Sequence, residues 1–105
     1  MVVKLLLKIL ENYSLCENGV KIQFVSHKKD YWWRDEVYDE SILITPYDKD
    51  NNLNHYCSRY YHDVNFKSHD KREAFYDLVK YYNKKNINKK GFIPLRFGDN
   101  YCTFY

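Results

Sequence analysis

GVKIQFVSH, residues 19–27, alternates Val20, Ile22 and Phe24 with Lys21 and Gln23, and this two-residue period decides the fold. In a strand, successive side chains point to opposite faces, so the apolar set lines one face of a sheet and the polar set the other. An apolar sheet face needs a cover, and the chain carries two helical patterns able to supply it.

The first lies just upstream. Residues 2–13 place Val2, Leu5, Leu6, Ile9 and Tyr13 on one face at helical spacing, with Val3, Leu7 and Leu10 beside them and Lys4, Lys8 and Glu11 opposite. ENG, residues 17–19, then stops the helix and turns the chain. The second is SHDKREAFYDLVKYYNKK, from Ser68, where Phe75, Leu78, Val79 and Tyr82 follow the i, i+3, i+4, i+7 rule. Ser68 or Asp70 can cap its start, Asp70 with Glu73 has capping-box spacing, and Lys84 and Lys85 suit the negative end of the helix dipole.

Between and after these helices the sequence reads as further strands. HKKD, residues 27–30, is expected to turn, and DYWWRDEVYDE, residues 30–40, to follow an extended path, because four like charges at i,i+4 would weaken a helix. SILITPY, residues 41–47, resumes as a strand that stops near Pro46. LNHYCSRYYHDV, residues 53–64, reads as another strand with Leu53, His55, Cys57, Arg59 and Tyr61 on one face. GFIPLRF, GDN and YCTFY read as a terminal hairpin, with Pro94 confining its strand to an edge. The expectation is a single α+β domain over residues 1–105. It has an antiparallel sheet of about four to six strands, with the N-terminal helix and a second helix near residues 69–85 packed on one face.

A chain of 105 residues buries enough surface to fold without disulfide or metal staples. Cys16, Cys57 and Cys102 are an odd, widely spaced set that fits buried thiols in a reducing compartment better than a disulfide framework. The apolar N-terminus is interrupted by Lys4 and Lys8 and is too short to span a bilayer. A cytoplasmic protein with no membrane association is therefore expected. Usage rich in Asn, Lys, Ile and Tyr points to an AT-rich genome, of a low-GC bacterium, its phage or a large DNA virus. In the viral case the host cytoplasm is the expected location.

The net charge of +3 hides an uneven distribution. Residues 30–50 carry seven Asp or Glu against Arg34 and Lys49, whereas residues 67–96 carry nine Lys or Arg against Asp70, Glu73 and Asp77. Such a two-sided molecule suits an oriented contact. The acidic half contains Tyr31, Trp32, Trp33, Arg34 and Tyr38, residue types enriched at protein interfaces, together with Asp35, Glu36, Asp39 and Glu40. This set is the expected partner-binding site, its carboxylates able to mimic phosphates in a basic groove. On an extended segment Trp32 and Trp33 point oppositely, so one anchors the core and the other is available. The basic half offers an alternative, with Lys80, Lys84, Lys85, Lys89 and Lys90 for phosphates and Tyr81 for stacking on bases.

Catalytic patterns are weak. His55, Cys57, His62 and His69 match no common zinc spacing, and His62, Asp63, His69 and Asp70 are better explained as strand and cap residues than as a Mg²⁺ site. The glycines, at 19, 91 and 98, form no phosphate-binding loop. No catalytic residue, metal or cofactor is expected. The leading functional expectation is a small non-enzymatic inhibitor, phage- or virus-encoded and anti-CRISPR-like, that occludes a host nucleic-acid-handling or defence protein. The alternatives are a nucleic-acid-binding accessory protein and a small metal-dependent nuclease or toxin. Either a monomer or a homodimer is compatible with the pattern.

Overall fold

The computed structural model describes the backbone of residues 2–31, 34–62 and 64–104, and the side chains of residues 2–28, 40–62 and 64–100. In chain order the elements are α1 (Val2–Asn12), β1 (Val20–Tyr31), β2 (Arg34–Pro46), a 3₁₀ turn (His55–Cys57), β3 (Arg59–Tyr61), α2 (His69–Asn86), β4 (Leu95–Phe97) and β5 (Tyr101–Phe104). The fold is α+β: one five-stranded mixed sheet with both helices on one face.

The alternation in β1 is what builds this face. Ile22 pairs with Ile44 and Phe24 with Ile42 across the antiparallel β1–β2 ladder, and Tyr61 of β3 pairs with Ile42 in turn. Leu5, Leu6 and Ile9 of α1 and Phe75 and Val79 of α2 close over these residues, joined by Phe66, Ile93 and Leu95. Phe24 lies at the centre of an aromatic cluster, 5.1 Å from the Phe66 ring and 6.4 Å from that of Phe75. The buried stripe of α1 is narrower than its composition suggests, since Val3 and Leu7 remain more than half exposed. At the start of α2 Ser68 occupies the cap position without a side-chain hydrogen bond, so the expected capping interaction is absent. Burial of Phe66, and the bond donated by Arg72 Nη1 to its carbonyl at 3.1 Å, fix the entry instead.

Three expectations are corrected. Residues 27–30 do not turn: β1 runs on to Tyr31, pairing Lys28 with Tyr38, Lys29 with Val37 and Tyr31 with Arg34. Their polarity marks a ladder that leaves the core, and cross-strand bonds such as Ser26 Oγ to the Glu40 carboxylate at 2.7 Å continue it. The strand expected over residues 53–64 shrinks to Arg59–Tyr61, because Asn54 donates back to the Pro46 carbonyl at 2.8 Å and the chain winds into the 3₁₀ turn.

The third correction concerns the C-terminus. The sheet is mixed rather than antiparallel throughout, and β4 and β5 form no hairpin: both run parallel to β1, at Val20–Ile22 and at Val25–Lys28. Gly98 donates to the Ile22 carbonyl at 2.9 Å and Gln23 Nε2 to that of Asp99 at 2.9 Å, which carries the chain forward instead of back. From Ile22 to Val25 on β1 the neighbouring edge advances from Phe97 to Tyr101, one residue more, so the GDN segment acts as a bulge. β1 offers a free edge long enough for both segments, and pairing each with it satisfies more backbone groups than pairing them with each other.

Candidate functional site

The described residues present their densest unneutralised charge at the end of α2. Lys80 and Lys84 are one turn apart, as are Tyr81 and Lys85, and all four are exposed. Lys85 Nζ sits 5.6 Å from the Tyr81 ring centroid, leaving that ring 61% exposed. Asn86 Nδ2 donates to the Tyr82 carbonyl at 2.8 Å, and a turn closed by Lys89 N to Asn86 O at 2.9 Å projects Lys89 and Lys90 beyond the helix. Gly91, at φ 81°, then returns the chain to β4. Among the described residues the one close approach of a basic side chain to a carboxylate is His69 with Glu73 at 3.7 Å, at the opposite end of α2. All six residues of the expected basic alternative are thus brought to one end of the molecule.

The aromatic and acidic stretch occupies the other end. Trp32 and Trp33 lie outside the described residues, and so do the side chains of Tyr31, Arg34, Asp35, Glu36, Tyr38 and Asp39. The backbone places the stretch where β1 passes into β2, with Tyr31 paired to Arg34. Glu40, the one member whose side chain is described, is half-buried and accepts both of its bonds, at 2.9 and 2.7 Å, from Ser26 Oγ. Asn83 of α2 is bonded to Leu95, which pairs with Val20 at the start of β1. The lysines and the acidic stretch therefore stand at opposite ends of β1, separated by roughly 30–35 Å of strand.

Asp63 lies outside the described residues, and the described residues considered for a metal do not converge. His55 and Cys57 belong to the exposed 3₁₀ turn rather than to a strand face, and His62 is exposed with its ring 6.2 Å from that of Tyr60. Among the described residues no three of His, Cys, Asp and Glu cluster at a metal-binding geometry. His27 is a buried member of the sheet face away from the helices, 3.0 Å from Ser41 Oγ through Nε2.

A feature without a sequence signal is a cleft of about 440 Å³ between the end of α1, the end of β2 and the 3₁₀ turn. Tyr13, Cys16, Tyr47, Asn54, Cys57 and Arg59 line it. Two of the three cysteines are not the buried thiols expected: Cys57 is exposed and accepts from Asn54 Nδ2 at 3.3 Å, and Cys16 is half-buried, while the side chain of Cys102 lies outside the described residues. Burial, with a smaller contribution from Cys57, pushes the Cys16 thiol up. Tyr13 is nearly buried and bonds the carbonyls of Ile44 and Cys57, each at 3.4 Å. Burial first, then the neighbouring Tyr61, holds its phenol well above the usual tyrosine range. Raised values keep both groups protonated and unreactive at neutral pH.

Comparison with known proteins adds no analogy: no family model, curated protein or solved structure matches the chain.

Proposed function

We propose that this chain is a small non-enzymatic binding protein whose basic end contacts nucleic acid. The observation that carries the reading is the exposed Tyr81 ring surrounded by Lys80, Lys84 and Lys85, with Lys89 and Lys90 beyond, none of them in an ion pair among the described residues. Lysines spaced along a helix end neutralise successive phosphates, and an exposed tyrosine offers a sequence-tolerant stacking platform for a base. Single-stranded nucleic acid fits this combination better than a duplex, whose bases are already stacked. Anisotropy of labelled single- and double-stranded oligonucleotides, at low and moderate salt, tests it. Micromolar, salt-sensitive binding that favours the single strand is expected, and its absence rejects the reading.

A second reading is favoured by the position of the acidic stretch, at the end of β1 away from the lysines. In it the chain is an inhibitor that meets a host nucleic-acid-handling or defence protein through Asp35, Glu36, Asp39 and Glu40, which take the place of phosphates. Affinity capture from host lysate with and without nuclease separates the two readings. A partner that survives nuclease favours the inhibitor, and one released with the nucleic acid favours direct binding.

A further inference from the structure

We propose that the outer edge of β2, from Arg34 to Ser41, is a strand-addition site for an extended lysine- and arginine-rich segment of a protein partner. The proposal rests on the second reading above for the nature of the partner, and adds how that partner is held.

β1 pairs with β2 from Pro46 down to Val37 and again at Arg34, with a register irregularity at Asp35 and Glu36 between, so the inner edge of β2 is used over most of its length. Its outer edge is used by β3 alone, at Ile42, Leu43 and Ile44. Among the described residues no strand pairs with the outer edge between Arg34 and Ser41. Such a row of peptide groups is a template for another strand. On the other side of the sheet β4 and β5 line β1, and the Asn83 side chain takes the Leu95 amide and carbonyl.

Charge decides between the occupants. The open edge carries Asp35, Glu36, Asp39 and Glu40 against a single cation, Arg34. A second copy added antiparallel and centred on this edge would set Asp35 against Glu40 and Glu36 against Asp39. Like charges directly opposite destabilise a ladder, so the edge rejects itself. A segment with Lys or Arg at the facing positions turns the same four carboxylates into cross-strand pairs. Main-chain bonds then supply the geometry, and the charges supply selectivity and fast encounter.

The test uses the full chain and a short capped peptide in which lysine pairs alternate with valine pairs, the spacing of Asp35–Glu36 and Asp39–Glu40, with its glutamate counterpart and its fully N-methylated form as controls. N-methylation keeps the charge and removes every main-chain donor. The expected result is binding of the unmodified basic peptide alone, with amide exchange across residues 34–41 slowed at least about tenfold. Equal binding of the methylated peptide, or protection elsewhere, overturns strand addition and leaves the acidic-surface reading standing. Absence of peptide binding overturns the proposal, while lysate capture still tests the reading beneath it. Protection of the same amides that grows with protein concentration, without peptide, assigns the edge to a second copy and overturns it too. Asp35→Lys with Asp39→Lys is expected to exchange the basic peptide for the acidic one. The neutral pair Asp35→Asn with Asp39→Asn, which puts less strain on folding, is expected to weaken the basic peptide about tenfold.

Discussion

Asn83 and Leu95 exchange two hydrogen bonds: the Asn83 amide donates to the Leu95 carbonyl at 2.9 Å, and its oxygen accepts from the Leu95 amide at 3.3 Å. The side chain thereby acts as one residue of a missing strand. It satisfies both outward groups of an edge position that pairs inward with Val20, and it ties α2 to the sheet directly behind the lysines. Asn83→Ala leaves both groups without this partner and is expected to lower stability by about 1–3 kcal/mol in urea denaturation. Because the bond sets where α2 ends against β4, the same variant is also expected to weaken oligonucleotide binding although Asn83 carries no charge.

Gly19 and Gly91 both hold left-handed backbone, at φ 91° and 81°, but their surroundings differ. A Cβ at Gly19 would run into the Pro94 carbonyl, which accepts the Val20 amide at 2.9 Å, whereas at Gly91 it would meet open space. Gly91→Ala is expected to cost about 1 kcal/mol, from backbone strain alone. Gly19→Ala adds the displacement of β4 and is expected to cost about 3 kcal/mol or more. Parallel thermal unfolding of the two variants measures the difference, and equal losses would remove the argument for the Pro94 contact.

Tyr13 makes stability depend on alkaline pH. Its phenol is raised in the folded chain, so an unfolded molecule releases that proton first, near pH 10. The contribution is complete below that pH and is lost as pH rises toward the folded value, by about 1.4 kcal/mol per pH unit. Cys16, raised for the same reason, acts with the same sign from a slightly lower pH. Tyr13→Phe is expected to flatten the stability curve above pH 10 while costing about 1 kcal/mol at neutral pH for the two bonds lost. Denaturant midpoints between pH 7 and 11 would show it.

The basic surface makes separable predictions for charge and ring. Lys84→Glu and Lys85→Glu are expected to weaken binding of all sequences alike and to reduce the slope of log affinity on log salt by about one for each lysine. Tyr81→Ala is expected to weaken single-strand binding by about 1–3 kcal/mol and to leave the salt slope unchanged. Salt titrations of the three variants, read by anisotropy, distinguish these outcomes.

How much of this was legible before folding depends on the range of the interaction concerned. The extents of α1 and α2 and the alternation of β1 follow from local periodicity. The α2 site followed too, because Lys80, Tyr81, Lys84 and Lys85 are neighbours on any helix through them. The partial exposure of α1 did not follow, since Val3 and Leu7 are apolar by composition and only the position of the sheet leaves them outside. The strand expected through His55 and Cys57 failed because the alternation of that segment competes with the bond from Asn54 to Pro46, a partner several residues back. The cleft left no trace in the sequence. Tyr13, Cys16 and Cys57 meet there from segments that no spacing connects.

By itself, then, the amino-acid order determined which segments coil, which segment alternates, and that acid and base lie in different parts of the chain. Those are properties of side chains within a few residues of one another. Tertiary structure alone decided that β1 continues past its polar residues to Tyr31, and that β4 and β5 both run along it in the same direction. It also decided that β3 covers just three residues of β2. Strand pairing is a competition among free edges, and which edges are free depends on partners far along the chain, as β1 finds in β2, β4 and β5.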